Sequence, residues 1–366
     1  MEQQSHPRRI AVKIGSNVLS RKDRRLDVTR MSALVDQVAE LRAAGIEVIV
    51  ISSGAVAAGR SQLAESVTHH LDSVSQRQLF SAVGQAKLIN RYVQLFREHD
   101  IVCGQVLTTK ENFATRHHYL NQQNCMEVML REGVVPVVNE NDTVSVTELM
   151  FTDNDELSGL LAMMMNCDCL VILSNIDGVF TGDPADPSSR LIGRVAPGDD
   201  LSACITSARS GLGRGGMTTK YRIARKVADA GIEVIIANGK RPDILPDLLL
   251  RAADVPATRF EAAEKPQSSL KRWIANSCSF AKGSLTLKAD AAATLRRRPG
   301  TSLLAVGVTE VAGDFAAGDI VAVRDPDGLA VAWGRAAASA DEARSRAGQS
   351  GGRPLVHADY LYINEL

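Results

Sequence analysis

The sequence carries no excess charge of either sign: 42 Lys and Arg stand against 42 Asp and Glu in 366 residues. That balance removes any global pull toward nucleic acid, an acidic membrane or a polyanionic partner and leaves only local charged sites. Long hydrophobic runs are also missing. Val48 to Ile51 and Cys169 to Leu173 are among the longest, far short of the ~20 residues needed to cross a bilayer. Met1 to Arg9 are polar and lack the ~7–15 residue apolar stretch of a secretory signal, so the chain is expected in the cytoplasm. Cysteine is sparse for the length, at Cys103, Cys125, Cys167, Cys169, Cys204 and Cys278, which fits a reducing compartment. Cys167 and Cys169 have no histidine at ligand spacing and read as buried thiols rather than metal ligands.

Several common motifs are absent or misplaced. No Gly-x-x-x-x-Gly-Lys-Ser/Thr run occurs, so a Walker-type phosphate loop is excluded. Gly211, Gly213 and Gly216 match the dinucleotide fingerprint, but Leu201 to Ser210 makes no strand before them, which argues against a nicotinamide fold. Gly348-Gln349-Ser350-Gly351-Gly352 has the spacing of a hydrolase serine elbow, yet lies in a polar stretch with Pro354 after it and no strand before it. There is no internal repeat, and low complexity is confined to Ala336 to Gly352, read as a helix and loop.

What is present is alternation. Strands are expected at Ile10 to Ile14, Glu47 to Ile51, Ile101 to Leu107, Val134 to Val138, Cys169 to Leu173 and Ile232 to Ile236. Between the first two, Asp27 caps a helix whose Met31, Leu34, Val35, Val38 and Leu41 keep i, i+3, i+4 spacing until Gly45. Further helices are expected over Gln76 to Arg97, Arg116 to Arg131, Asp155 to Met165 and Met217 to Ala230. This is an α/β pattern with a mostly parallel sheet, whose ligands bind along the edge formed by the strand C-terminal ends. The character changes after Phe260. Residues 1–260 are expected to form the first domain, 261–279 a linker, and 280–366 a small β-rich domain with strands at Ser284 to Leu287, Ile320 to Val323 and Leu329 to Trp333.

Chemistry-bearing residues gather at the expected ligand edge. Strand one ends in Lys13-Ile14-Gly15-Ser16, a lysine beside a glycine turn that outlines a phosphate site. Strand two runs into Ser52-Ser53-Gly54, small residues that open a helix. Strand four ends in Asn139-Glu140-Asn141-Asp142, and Asp153-Asn154-Asp155 opens a later helix. Two such polar clusters on one edge exceed what a capping residue explains. Gly211 to Lys220 starts another helix with free backbone N–H groups and a cation one turn in. Two lysines and a glycine-rich helix start, opposed by carboxylates, suit phosphoryl transfer, in which fixed cations stabilise charge spread over the moving group and an acid between the lysines holds them in place.

These segments, with Asp177-Gly178-Val179-Phe180-Thr181-Gly182-Asp183-Pro184, resemble the amino-acid kinase family. The C-terminal part resembles a PUA domain through Gly313 to Val321. The resemblance implies a three-layer sandwich around a mostly parallel sheet. It implies ATP-dependent phosphorylation of the side-chain carboxylate of L-glutamate at the start of proline synthesis, magnesium with the nucleotide, homo-oligomers and proline as feedback inhibitor. Carried over residue by residue, Lys13 and Lys220 neutralise the transferring group and Asp155 positions them. Ser53, Asp142 and Asn154 hold glutamate with Asn139 nearby. Ser174, Asn175, Arg214, Gly215, Gly216, Met217, Thr218, Thr219 and Lys220, together with Lys13, line the ATP site.

Two positions depart from the family pattern. Ser174-Asn175 replaces Thr-Asp, and Arg214 replaces Thr; a carboxylate is lost and a cation gained on the nucleotide side, so Arg214 is expected to add a guanidinium contact to ATP. A sibling kinase acting on aspartate or N-acetylglutamate is the alternative substrate reading, and Asp142 argues against an acetylated amine. A nucleotide-sensing or RNA-binding protein on a kinase-like scaffold is the alternative class. From Phe280 to Leu366 ten basic residues meet ten acids, which gives no basic face for RNA. Arg296 to Arg298 read as a solvated helix end.

Overall fold

The computed structural model describes all residues except 1–5, 24, 64–70, 115, 145–153, 202–215, 252, 265–273, 275–280, 299 and 364–366. The chain divides into two compact units, Met1–Asn112 with Leu120–Pro266, and Phe113–Tyr119 with Gln267–Leu366.

The first unit is built on β1 (Arg9–Ile14), β2 (Glu47–Ser52), β3 (Cys103–Thr108), β4 (Val135–Glu140), β5 (Cys169–Ser174), β6 (Arg194–Val195), β7 (Glu233–Asn238) and β8 (Ala257–Phe260). They form one eight-stranded sheet in the order β3-β4-β2-β1-β5-β7-β8-β6. The pairs from β3 to β7 are all parallel, whereas β8 runs antiparallel to β7 and carries β6 parallel to itself. β1, β2, β4, β5 and β7 were legible because their β-branched runs are buried on both faces. β6 and β8 were not, since two and four residues carry no period.

The helices follow their caps. α1 (Ser16–Leu19) is a single turn, and α2 (Val28–Ala43) begins where the Asp27 carboxylate accepts the Arg30 N–H at 3.2 Å and ends before Gly45 at φ 85°. α3 (Ala55–Arg60) follows Gly54, whose φ of 117° is left-handed. α4 (Ser73–Arg97) starts earlier than its apolar period, because Asp72 accepts from the N–H groups of Val74 and Ser75 and supplies the first turn with a cap. α5 (Glu111–Ala114), α6 (Arg116–Arg131), α7 (Asn154–Met164), α8 (Met217–Asp229) and α9 (Ile244–Leu249) follow, with Phe113–Tyr119 of α5 and α6 counted in the second unit.

The sheet separates two helical layers. Ile10, Val12 and Ile14 pack with Val35, Val38 and Leu41 of α2 and with Tyr92 and Phe96 of α4. The alternate residues Ala11 and Lys13 turn to the face that carries α7. β1 is buried along its whole length yet contains two cations. Burying an unpaired charge costs several kcal/mol, so each must find partners. Arg9 does so at the N-terminal edge of the sheet, 2.6 Å from both Glu47 and Glu127 and 2.7 Å from the Met165 carbonyl. Cys167 and Cys169 lie beside this network as free thiols, and burial pushes both of them up toward the neutral form.

The second unit holds β9 (Gly283–Leu287), β10 (Val308–Gly313), β11 (Ile320–Arg324), β12 (Ala330–Arg335) and β13 (Leu361–Ile363) in the order β10-β9-β11-β12-β13, with α10 (Ala289–Arg297) and α11 (Ala340–Arg346). Leu285, Leu287, Leu295, Val321, Val323, Val331 and Val356 make a core of its own. Asp325 to Gly328 turns the chain between β11 and β12, with Gly328 at φ 82°. Arg296 to Arg298 are exposed at the end of α10, as a solvated helix end requires, and Arg296 has a partner as well. It donates to the buried Asp325 carboxylate at 2.9 Å, while Asp325 also accepts from the N–H groups of Asp327 and Leu329, so this arginine fastens the helix end to the turn.

Candidate active site

Backbone hydrogen bonds continue the sheet beyond its strands at one edge. The Ser53 N–H donates to the Ile14 carbonyl at 3.2 Å, Gly15 to Leu173 at 3.2 Å, and Gly239 to Ser174 at 2.9 Å. The ends of β2, β1, β5 and β7 are thereby locked side by side, with Ser53 and Ser174 one residue beyond the level of Ile14 and Lys13 one residue before it. Gly15 is glycine for a spatial reason: a Cβ there would stand 3.1 Å from the Leu173 carbonyl and 3.6 Å from the Lys13 ammonium.

Asp155 is the centre of the arrangement. It lies in the first turn of α7 with no exposure, and its two oxygens face two ammonium groups, Lys13 Nζ at 2.6 Å and Lys220 Nζ at 2.9 Å. Burial alone would push this carboxyl up; the charges of Lys13 and Lys220 more than offset it and hold it below the ordinary carboxylate range. The trio comes from β1, α7 and α8 and sums to one positive charge. Such a fixed, nearly dry cation pair fits the oxygens of a phosphoryl group in flight. Gly216 caps α8 with no side-chain bond, so the first N–H groups of that helix add partial positive charge from the same element as Lys220. Met217 and Thr219 are half-buried there, and Thr218 is exposed. Arg214 and Gly215 lie outside the described residues.

A second polar cluster forms where β4 meets α7 and α4. The Asn154 amide donates to Ser53 Oγ at 2.8 Å and to Asn139 Oδ1 at 3.0 Å, and the Asn139 amide donates to Gln85 Oε1 at 2.8 Å. Ser53, Asn139 and Asn154 are therefore one hydrogen-bonded set. Asp142 is held apart from it by other partners. Arg77 pairs with one of its oxygens and reaches Glu140 at 2.9 Å, while Ser81 Oγ donates to the other at 3.1 Å. Glu140, Asp142 and Arg77 sum to one negative charge, opposite in sign to the lysine trio. Asn139 and Asn154 directly precede Glu140 and Asp155 in the chain, so the amide set links the two poles.

On the remaining side Ser174 is buried at the end of β5 and its hydroxyl lies 3.5 Å from the Asn175 side chain, which is exposed. Next to them Arg241 donates twice to Asp177, at 2.8 Å each, and that fork holds the Asp177 carboxyl down. It braces the loop after β5 against the loop after β7. Among the described residues the structure joins Lys13, Asp155 and Lys220 in one set and Ser53, Asn139 and Asn154 in another; Asp142 pairs with Arg77 and Ser81, Ser174 with Asn175, and Gly216 to Thr219 open the helix of Lys220.

Arg77, Ser81, Gln85 and Arg241 were not singled out from sequence. Arg77, Ser81 and Gln85 recur at i, i+4 and i+8 on α4, so a polar line on an otherwise apolar helix face was the available signal. Arg241 had none.

Residues 8–238 match the amino acid kinase family and residues 283–353 match the PUA domain. A glutamate 5-kinase from Bacteroides thetaiotaomicron is 59% identical over 355 residues, covering 97% of this chain and 98% of that protein. A glutamate 5-kinase from Chlorobaculum tepidum is 44% identical over 362 residues, with 98% of each chain covered. Two solved structures share the fold at low identity. A carbamate kinase from Giardia lamblia bound to AMP-PNP has a TM-score of 0.52 at 15% identity, covering 70% of this chain and 99% of its own. A UMP kinase from Bacillus anthracis has a TM-score of 0.50 at 14% identity, covering 70% and 97%.

Proposed function

The chain belongs to the amino acid kinase family, and from that premise we propose that it transfers the γ-phosphoryl group of ATP to the side-chain carboxylate of L-glutamate, giving L-glutamyl 5-phosphate and ADP in the first step of proline synthesis. The Asp155 carboxylate with an ammonium group on each oxygen carries this reading at the level of geometry. The acceptor carboxylate is ionised at neutral pH, so its oxygen attacks the γ-phosphorus without surrendering a proton, a P–O bond forms, and the bond to the bridging β–γ oxygen breaks with its electrons leaving on ADP. No general base is required. The chain's task is to align two anions and stabilise the charge between them, and we assign that to Lys13 and Lys220, held by Asp155.

The two poles suit the substrate. The net negative Glu140, Asp142 and Arg77 cluster is suited to the α-ammonium of a free amino acid, and the amides of Asn139 and Asn154 with Ser53 would hold its backbone and stem. The side-chain carboxylate then points to the lysine trio. Proline brings an ammonium and a carboxylate but no side-chain acceptor, so it would occupy the amine pole and give no product, which supports its role as feedback inhibitor. Ser174, Asn175 and residues 214–220 are proposed to receive ATP. Among the described residues no group of three His, Cys, Asp or Glu side chains could hold a metal, and Asp155 already serves two lysines. These residues do not form a magnesium cage, and magnesium is proposed to travel on the nucleotide's own phosphate oxygens, whose charge it neutralises.

We further assign residues 1–260 to the kinase domain, 261–279 to a linker and 280–366 to the PUA-like domain. No helix among the described residues is long and apolar enough to cross a membrane, and four free cysteines support a cytoplasmic setting. Assembly into homo-oligomers is proposed, for which β3 offers an edge strand that carries the exposed Leu107 and follows the exposed Val102.

ADP formation with L-glutamate, L-aspartate and N-acetyl-L-glutamate tests the substrate. Turnover is expected with glutamate alone, and product only with one of the other two would overturn the assignment. Asp142→Ala is expected to raise the KM for glutamate at least ~10-fold, the order of a lost charged contact, with kcat changed less. Lys220→Ala should depress kcat far more than KM.

A further inference from the structure

We infer that Gly159 and Ile223 are a matched pair of positioning residues that set the distance between Asp155 and Lys220; the inference rests on the phosphoryl-transfer reading of that pair. Gly159 lies one turn beyond Asp155 on the same face of α7, and Ile223 lies one turn beyond Lys220 on α8, with Val227 a turn further. A Cβ on Gly159 would stand 2.8 Å from Ile223 Cγ2 and 3.1 Å from Val227 Cγ2. All three residues are buried, Ile223 at 6% and Val227 at 0% exposure.

The closest of these atoms cannot swing away. Ile223 Cγ2 is the branch methyl fixed to Cβ, and β-branched side chains in a helix hold essentially one χ1 rotamer. Any side chain at position 159 must therefore push α8 as a body away from α7. Lys220 travels with it, because only one turn of rigid helix separates it from Ile223. The separation that would be lost is the one that keeps Lys220 Nζ at 2.9 Å from Asp155 Oδ2. A helix interior favours alanine over glycine, so glycine here runs against local preference, and the contact across to α8 supplies the reason.

The test is a pair of small substitutions in the full chain. Gly159→Ala is expected to lower kcat on the order of tenfold, the size expected for a sub-ångström misplacement of a reacting group, while the KM for glutamate changes less than twofold. The kcat of Ile223→Ala alone is the reference for the rescue, since it removes the methyl without adding a Cβ at position 159. Adding Ile223→Ala to Gly159→Ala should restore kcat to within threefold, because removing the branch methyl gives the new Cβ its room. A merely structural role would show instead as a fall in melting temperature that follows neither kcat nor the rescue.

Unchanged kcat in Gly159→Ala, or failure of the double variant to recover although it melts like the unaltered chain, overturns the inference. If the unaltered chain turns over no glutamate, the functional reading fails by itself. The spacing then remains testable by calorimetry with ATP, since Gly159→Ala must weaken ATP binding and Ile223→Ala must reverse the loss; equal affinities overturn the inference in that case too.

Discussion

Asp155 shows what a single residue contributes to both stability and catalysis. Its folded-state carboxyl is held below its ordinary range by Lys13 and Lys220 against the opposing effect of burial. A depressed carboxyl stabilises the fold at every pH above its unfolded value, about 3.9, and that contribution is lost only as pH falls through the lower folded value. Asp155→Asn leaves two ammonium groups facing a neutral amide. We expect a loss of about 3 kcal/mol, the cost of breaking a buried ion pair from one side. The difference from the unaltered chain should be constant between pH 5 and 8 and shrink only below about pH 4; urea unfolding across that range measures it. The kcat of the variant should fall by ~100-fold or more, since each lysine loses the anchor that aims it. A difference that grows as pH falls from 7 to 5 would mean that the carboxyl is raised, not depressed.

At the scale of elements, the site depends on helices that touch at their backbones. α3 and α4 cross so closely that a Cβ on Gly84 would lie 1.8 Å from the Ala55 carbonyl oxygen, and one on Gly59 would lie 1.8 Å from the Phe80 carbonyl oxygen. This crossing sets α4, and with it Arg77, Ser81 and Gln85, against the loops that carry Ser53 and Asp142. Gly84→Ala gains about 0.5–1 kcal/mol of helix propensity, yet the clash is with backbone and no side chain can give way. Overpacking of this kind costs about 1–3 kcal/mol or more, so the clash wins. The variant should unfold at lower urea and bind glutamate more weakly in calorimetry. Stability equal to that of the unaltered chain would mean that the helices are farther apart than this crossing requires.

For the whole molecule, each unit has a hydrophobic core of its own, and the residues carrying the proposed chemistry all lie in the first. A chain ending at Pro266 is therefore expected to keep glutamate-dependent ADP formation, with kcat within ~10-fold of the full chain, because no described catalytic contact is removed. The full chain should show no micromolar, salt-sensitive RNA binding. From Phe280 to Leu366 basic and acidic residues balance, and Arg296, a member of the arginine cluster there, pairs with Asp325. Salt-dependent binding that disappears with the truncation would overturn this.

The sequence by itself determined the elements and the edge where chemistry occurs. Buried β-branched runs specify β1, β2, β4, β5 and β7 whatever surrounds them, Asp27 and Gly45 bound a helix locally, and strand-end motifs can lie only at the C-terminal edge of a parallel sheet. It left β6, β8 and β13 unread because they are too short to carry a period, and β10 because it is a mostly exposed edge strand that forms through its neighbour rather than through its own pattern. The tertiary structure alone decided which charges meet. Lys13, Asp155 and Lys220 stand on β1, α7 and α8, and Arg77 reaches Asp142 from α4. Those pairings follow from strand order and from two glycine crossings. Contact between residues remote in sequence is a property of packed helices and register, and local periodicity carries no information about either.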